Sequence, residues 1–349
     1  MTNKRSFKHL LIVMTDHHIG NLLVSLYAIQ SVQQQLKPEQ SLTCVMASNL
    51  LPLVHYLLPD THCIPYSLRD SKTSPIKKLP LFAKMFFTLR SRNIDTAVDL
   101  YGHGESYYIA RLSGATFISS YYSTAKLKPK YHWSDLSTEE TPQHQIDYYR
   151  YPFIPLMGII VAATIKAPEH PKTFSLVKDK LSKLNISMEK PLVIIHPGAG
   201  KEYKLWPTKH WQKLINKLEE CGHQVLLIGA GIDQQQVDAI MDSHDISPIN
   251  GFQCFNLIET IHLGFIAKLM VGNDSGPTHL MATTPTTVFS LFGPTDHQLW
   301  SPLSPHSHIL RAEVDCLNSC SKQTCQKDIS CLEALSPDYV FDHITSARP

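Results

Sequence analysis

Net charge is nearly absent: +2 over 349 residues, with only 18% of them charged. That excludes a strongly basic nucleic-acid binder on bulk charge, so any acidic partner must be met by a local patch. No run of 18 uncharged apolar residues occurs; the longest candidate, 153–165, is broken by Pro155. This argues against a membrane-spanning helix. Met1 to His9 runs directly into Leu10-Leu-Ile-Val-Met14, too short for a signal h-region with a cleavage site, which predicts a cytoplasmic chain. Short-period repeats, low-complexity tracts and Asp-x-Asp metal motifs are missing too. Of eight cysteines, four stand singly and four cluster as Cys316-x3-Cys320-x4-Cys325-x5-Cys331. Without paired C-x2-C knuckles, locally packed thiols or a redox-labile pair are favoured over zinc.

What is present is alternation. Apolar runs near 10–14, 42–47, 62–66, 94–100 and 116–121 alternate with segments of helical periodicity at 21–35, 50–58, 76–92 and 105–112. The pattern lapses at 123–145, a long polar and aromatic loop, ahead of a helix expected over 146–163. It resumes at 191–200, with helices at 208–221, 234–241 and 257–267 and strands at 224–228, 265–271 and 287–292. Strands alternating with helices at this spacing predict parallel sheets with right-handed crossovers. The length suits two domains, 1–165 and 166–349, joined near Lys166-Ala-Pro-Glu-His-Pro-Lys172, with the last helix packing back on the first domain.

Three loops of the second half fall at strand ends: His196-Pro-Gly-Ala-Gly-Lys-Glu-Tyr-Lys204, Gly229-Ala-Gly-Ile-Asp233 and Asn273-Asp-Ser-Gly-Pro277. Together they offer backbone amides, Lys201 and Lys204 as cations, Asp233 as an acceptor for ribose hydroxyls, and Asp274, Ser275 and Gly276 at a helix start. A nucleotide diphosphate fits that inventory. Taken singly, the glycines are turn residues, the lysines solvated side chains and Asp274-Ser275 a helix cap.

The order His196-Pro-Gly-Ala, Lys204-Leu-Trp-Pro-x3-Trp211, Gly229-Ala-Gly, Gly272-Asn-Asp-Ser-Gly-Pro-Thr-His279 and Leu291-Phe-Gly-Pro-Thr295 resembles glycosyltransferase family 9, the ADP-heptose:lipopolysaccharide heptosyltransferases. The Ile19-Gly20 loop adds to the likeness. The resemblance implies an α/β GT-B fold, two Rossmann-like parallel-sheet domains facing across a cleft, with the acceptor bound by the first and ADP-heptose by the second. It implies that Lys204 meets the donor diphosphate, that Asp233 lies near the ribose, and that Asp274, Ser275 and Gly276 hold the donor sugar and phosphates; Lys201 and His279 stand beside them as further donor-binding candidates. It further implies inverting, metal-independent transfer with no cofactor beyond the donor, on a lipopolysaccharide core at the inner membrane, with peripheral membrane contact and no nucleic acid.

One departure bears on the chemistry. The family pattern has Gly-Asp after the first strand, its aspartate serving as general base; this chain has Gly20-Asn21, and an amide cannot act as that base. Asp16, His17 and His18 in the same loop are the candidate replacements. Substrate-assisted transfer and a site without catalysis are the alternatives, the latter a sugar-nucleotide-binding protein; a nucleotide-sugar epimerase of like architecture is a further one. For a phosphate-rich acceptor two basic clusters qualify, Arg69, Lys72, Lys77 and Lys78, and Lys126, Lys128 and Lys130 among Tyr121, Tyr122, Tyr131 and Trp133.

Overall fold

The computed structural model describes residues 4–67, 75–102, 104–120, 143–158, 160, 164–315, 325 and 329–347. The chain divides into two compact units, Met1–Ile165 and Lys166–Pro349.

The first unit holds a five-stranded parallel sheet of β1 (His9–Met14), β2 (Ser41–Ala47), β3 (Cys63–Tyr66), β4 (Thr96–Asp99) and β5 (Phe117–Ser120), in the order β3-β2-β1-β4-β5. Leu10 to Met14 are wholly buried, as a central parallel strand covered on both faces requires. Chain order reverses between β1 and β4, where Val13 pairs with Asp99. At such a switch point the loops beyond the two strands splay to opposite faces and leave a crevice.

The second unit holds a six-stranded parallel sheet of β6 (Leu192–His196), β7 (Gln224–Leu227), β8 (Ile249–Asn250), β9 (Leu269–Asn273), β10 (Thr287–Leu291) and β11 (Ser307–Leu310), in the order β11-β10-β9-β6-β7-β8. Its switch point lies between β6 and β9. Alternate residues of β6 enter different cores: Val193 and Ile195 pack with Trp206, Trp211 and Leu214, Leu192 and Ile194 with Val177, Leu181 and Leu263. Each face of the sheet is therefore covered by helices.

Three expectations are revised. The helix expected over 146–163 is Gln145–Arg150, a 3-10 turn Tyr151–Phe153 and a short helix Ile154–Met157. Pro152 and Pro155 withdraw amide donors, and Gly158, at φ 82°, ends the run. The stretch read as a linker to Lys172 ends sooner, because Pro171 opens the helix Pro171–Lys183. The last helix, Pro337–Ser346, packs on the helix Thr208–Glu220 and sends Val340 and Ile344 into the second unit's core, where the sequence reading had returned it to the first domain. Among the described residues no helix is long and apolar enough to cross a membrane.

Candidate functional site

In the second unit β7, β6 and β9 are parallel neighbours, so the three loops predicted to bind a ligand leave the same sheet edge. Buried side chains tie them together. Asn273, fully buried at the end of β9, donates from Nδ2 to the Pro197 carbonyl (2.7 Å), and its Oδ1 accepts from the Trp206 amide (3.3 Å). Trp206 is itself anchored, its Nε1 donating to the Leu335 carbonyl at 2.9 Å. That anchor fixes the turn bearing Lys204, whose Nζ donates to Asp274 Oδ2 at 2.6 Å. Asp274 is 7% exposed, so this carboxylate depends on its lysine.

Ser275 occupies the N-cap position of the helix Gly276–Met281, yet its side chain makes no cap bond. Its Oγ lies 3.1 Å from His196 Nδ1 and 3.1 Å from Thr278 Oγ1, and Thr278 donates to the Asn273 carbonyl at 2.7 Å. The first amides of the helix are therefore not used up by the cap side chain, against the plain-cap reading. On the other side of the ring, His196 Nε2 lies 3.3 Å from Asp233 Oδ2, which also accepts from the Ala230 amide at 2.9 Å. Asp233 is turned inward and 7% exposed. A Cβ at Gly198 would stand 1.9 Å from its Oδ1, and one at Gly229 3.0 Å from its Cβ. Those glycines, read from sequence as turn or phosphate-loop residues, make room for Asp233.

Lys201 is exposed on the loop after β6, and His279 is buried in the helix behind Ser275. His196, Asn273 and Thr278 were not singled out as site residues. His196 lies inside the His196-Pro-Gly-Ala motif, whose spacing does not show that it links two other loops.

In the first unit the loop after β1 folds around Asp16. This carboxylate is 2% exposed; Oδ1 accepts from the His18 amide at 3.0 Å and from His18 Nδ1 at 2.6 Å, and Oδ2 accepts from Asn21 Nδ2. Burial pushes the Asp16 carboxyl up, but the bonds from His18 and Asn21 prevail and hold it at about 2. Asn21, where the family pattern has its base, thus steadies a neighbouring carboxylate. The His18 side chain is 66% exposed and that of His17 45%, with His17 Nδ1 3.8 Å from Asp16 Oδ1. Asp16, His17 and His18 bring three ligand atoms within 4.8 Å of one another and could hold a cation. With both Asp16 oxygens already accepting hydrogen bonds, the arrangement is a carboxylate–histidine pair first. Across the switch point Asp99 accepts from the Tyr101 and Gly102 amides (3.1 and 3.0 Å) and from Ser106 Oγ (3.0 Å). Its complete burial outweighs those bonds and pushes the carboxyl up to about 6. This turn-forming carboxyl was missed, reading from sequence only as a strand end.

Of the other predicted site residues, Arg69, Lys72, Lys126, Lys128, Lys130, Cys316 and Cys320 lie outside the described residues. Cys325 is exposed and Cys331 opens a short helix.

Residues 82–330, more than half of the chain, match the sequence model of glycosyltransferase family 9 (heptosyltransferase). The chain belongs to glycosyltransferase family 9. It is a glycosyltransferase, and curated relatives of this family 9 chain are lipopolysaccharide heptosyltransferases. Lipopolysaccharide heptosyltransferase 3 of Escherichia coli K12 is 25% identical over 296 residues, covering 81% of this chain and 82% of its own. Among solved structures, a family 9 glycosyl transferase from Veillonella parvula superposes with a TM-score of 0.81 at 16% identity, covering 99% and 98% of the two chains. The E. coli ADP-heptose LPS heptosyltransferase II gives 0.76 at 19% identity, over 97% and 98%. At these identities the superpositions establish the fold, two parallel-sheet α/β units of the GT-B class.

Proposed function

We propose that this family 9 enzyme transfers a heptose from ADP-heptose to the inner core of lipopolysaccharide, with inversion. The carrying observation is that Lys204, Asp274, Ser275 and His196 meet at the β6/β9 switch point. The donor's diphosphate lies against Lys204 and the amides from Ser275 onward, with Lys201 as a second cation and His279 behind them. In the first unit His18 is the base. Asp16 holds the proton on Nδ1, so in the neutral ring Nε2 takes the proton of the acceptor hydroxyl. The acceptor oxygen bonds to the anomeric carbon, the bond from that carbon to the diphosphate breaks, and ADP leaves with the electron pair. Lys204 and the amides meet the charge that develops on it. Arg69, Lys72, Lys126, Lys128 and Lys130 remain the basic residues proposed for the acceptor's phosphates.

Two measurements test this. Calorimetric titration with ADP-heptose, ADP and UDP-sugars is expected to show binding of the adenine species, and no binding of any of them would sink the reading. Incubation with ADP-heptose and a truncated core acceptor is expected to add one heptose by mass spectrometry. Donor binding without that increase would favour the sugar-nucleotide-binding alternative.

Peripheral membrane contact belongs to the same proposal. The helix Pro75–Arg90 contains Lys77, Lys78, Lys84 and Arg90 and no acidic residue, and Leu81 (46%) and Phe87 (68%) are exposed along it. A basic residue near an anionic bilayer contributes about 1 kcal/mol. Co-sedimentation is expected with phosphatidylglycerol vesicles and not with phosphatidylcholine, and Phe87→Ser with Lys84→Glu should release the protein. Equal sedimentation of wild type and variant would remove this helix from the contact.

A further inference from the structure

The contacts around His196 form a single chain, and each hydrogen bond in it needs one proton. Burial pushes the Asp233 carboxyl up, but the hydrogen bonds from His196 and the Ala230 amide outweigh it and hold Asp233 below the usual carboxylate range. As a carboxylate it can only accept, so the proton in the 3.3 Å contact with His196 sits on Nε2. At the other end Thr278 donates its single hydroxyl proton to the Asn273 carbonyl. The 3.1 Å contact between Ser275 Oγ and Thr278 Oγ1 must then use the Ser275 proton. That leaves the 3.1 Å contact between Ser275 Oγ and His196 Nδ1 to be closed by a proton on Nδ1. With a neutral ring accepting from Ser275, the two hydroxyl oxygens would face each other with no proton between them.

We infer that His196 is a buried imidazolium, paired with Asp233 and donating to Ser275, which places a fixed positive charge beneath the site where the donor diphosphate sits. The inference rests on the reading of that site as the donor site. His196 is 3% exposed, and a buried cation persists only with a counter-charge and satisfied donors. Asp233 supplies the first, and both ring nitrogens have acceptors. The Gly198 and Gly229 positions admit the carboxylate that the cation requires. The role is one of positioning: His196 orients Ser275 through the Nδ1 contact and adds a preorganised charge that grows in value as ADP leaves.

Imidazole ¹⁵N NMR of the full-length protein tests the protonation directly, with the His196 resonances assigned by their loss in His196→Gln. Two protonated nitrogens are expected at neutral pH in the native protein, and a single one in Asp233→Asn. A neutral-ring spectrum in the native protein overturns the inference. The second readout is kinetic. His196→Gln can bond to both neighbours but carries no charge, and should raise the donor KM and lower kcat by roughly tenfold in combination, the difference between a charged and a neutral hydrogen bond, with its melting temperature checked against wild type. A folded His196→Gln enzyme with wild-type kinetics shows the charge to be dispensable and also overturns it. If the native protein binds no ADP species, the reading of the donor site fails, and the spectrum still decides the protonation state.

Discussion

Replacing His18 by Gln should lower kcat by about 10²- to 10⁴-fold, the span of general base catalysis, and leave the donor KM unchanged. The pair behind this expectation is the 2.6 Å contact between His18 Nδ1 and a buried Asp16. Asp16→Asn should lower kcat as well, because an amide can donate to Nδ1 and drive the proton to Nε2, the nitrogen that must be unprotonated to act as a base. The informative control is Asn21→Asp, which restores the family's residue. If the base were simply absent, activity would rise. With Asp16 and His18 in its place, a second carboxylate against Asp16 Oδ2 replaces a hydrogen bond with like-charge repulsion, and activity should stay flat or fall.

The pH behaviour follows from the direction of the Asp16 shift. Its folded value, about 2, is below the ordinary 3.8, so its contribution to stability is fully present above the ordinary value and is lost as pH falls through about 2. Asp16 therefore stays ionised across the neutral range, and an acid limb of the kcat profile that falls there is assigned to a group other than Asp16. A profile whose acid limb vanishes in Asp16→Asn while persisting in His18→Gln would reverse that assignment.

The sheets were legible in the sequence because parallel strands buried on both faces must be written as continuous apolar runs, such as Leu10–Met14 and Leu192–Ile195. The grouping of the loops 196–204, 229–233 and 273–277 was legible for a related reason: they follow adjacent parallel strands, and order along the chain was enough to place them at one sheet edge. What escaped was the direction in which side chains turn. Asp233 reads as an exposed acceptor at the end of a glycine loop, yet Gly198 and Gly229 leave a recess that draws it inward to His196. Asn21 reads from sequence only as an amide where a carboxylate is expected, and its spacing does not tell that it donates to Asp16. Tertiary packing also decided the last helix, whose short apolar pattern could have suited either core.

Removing the positive end of the Lys204–Asp274 pair should be costly in two separable ways. Lys204→Met leaves Asp274, 7% exposed, buried without its cation. Breaking a buried pair in this way costs about 3–5 kcal/mol, and with the lysine side chain still 23% exposed the low end of that range applies. Thermal or urea unfolding of the variant measures it. With the diphosphate against Lys204 as proposed, binding should suffer independently; a charged hydrogen bond of about 1.5–3 kcal/mol corresponds to a loss of donor affinity between roughly tenfold and a hundredfold. The two effects come apart in Lys204→Met combined with Asp274→Asn. With both charges gone there is no orphaned carboxylate, so most of the stability should return, and donor affinity should not. If the double variant regained both stability and donor binding, Lys204 would be a structural counter-ion for Asp274 alone, and the diphosphate would have to be held by the amides and Lys201 without it.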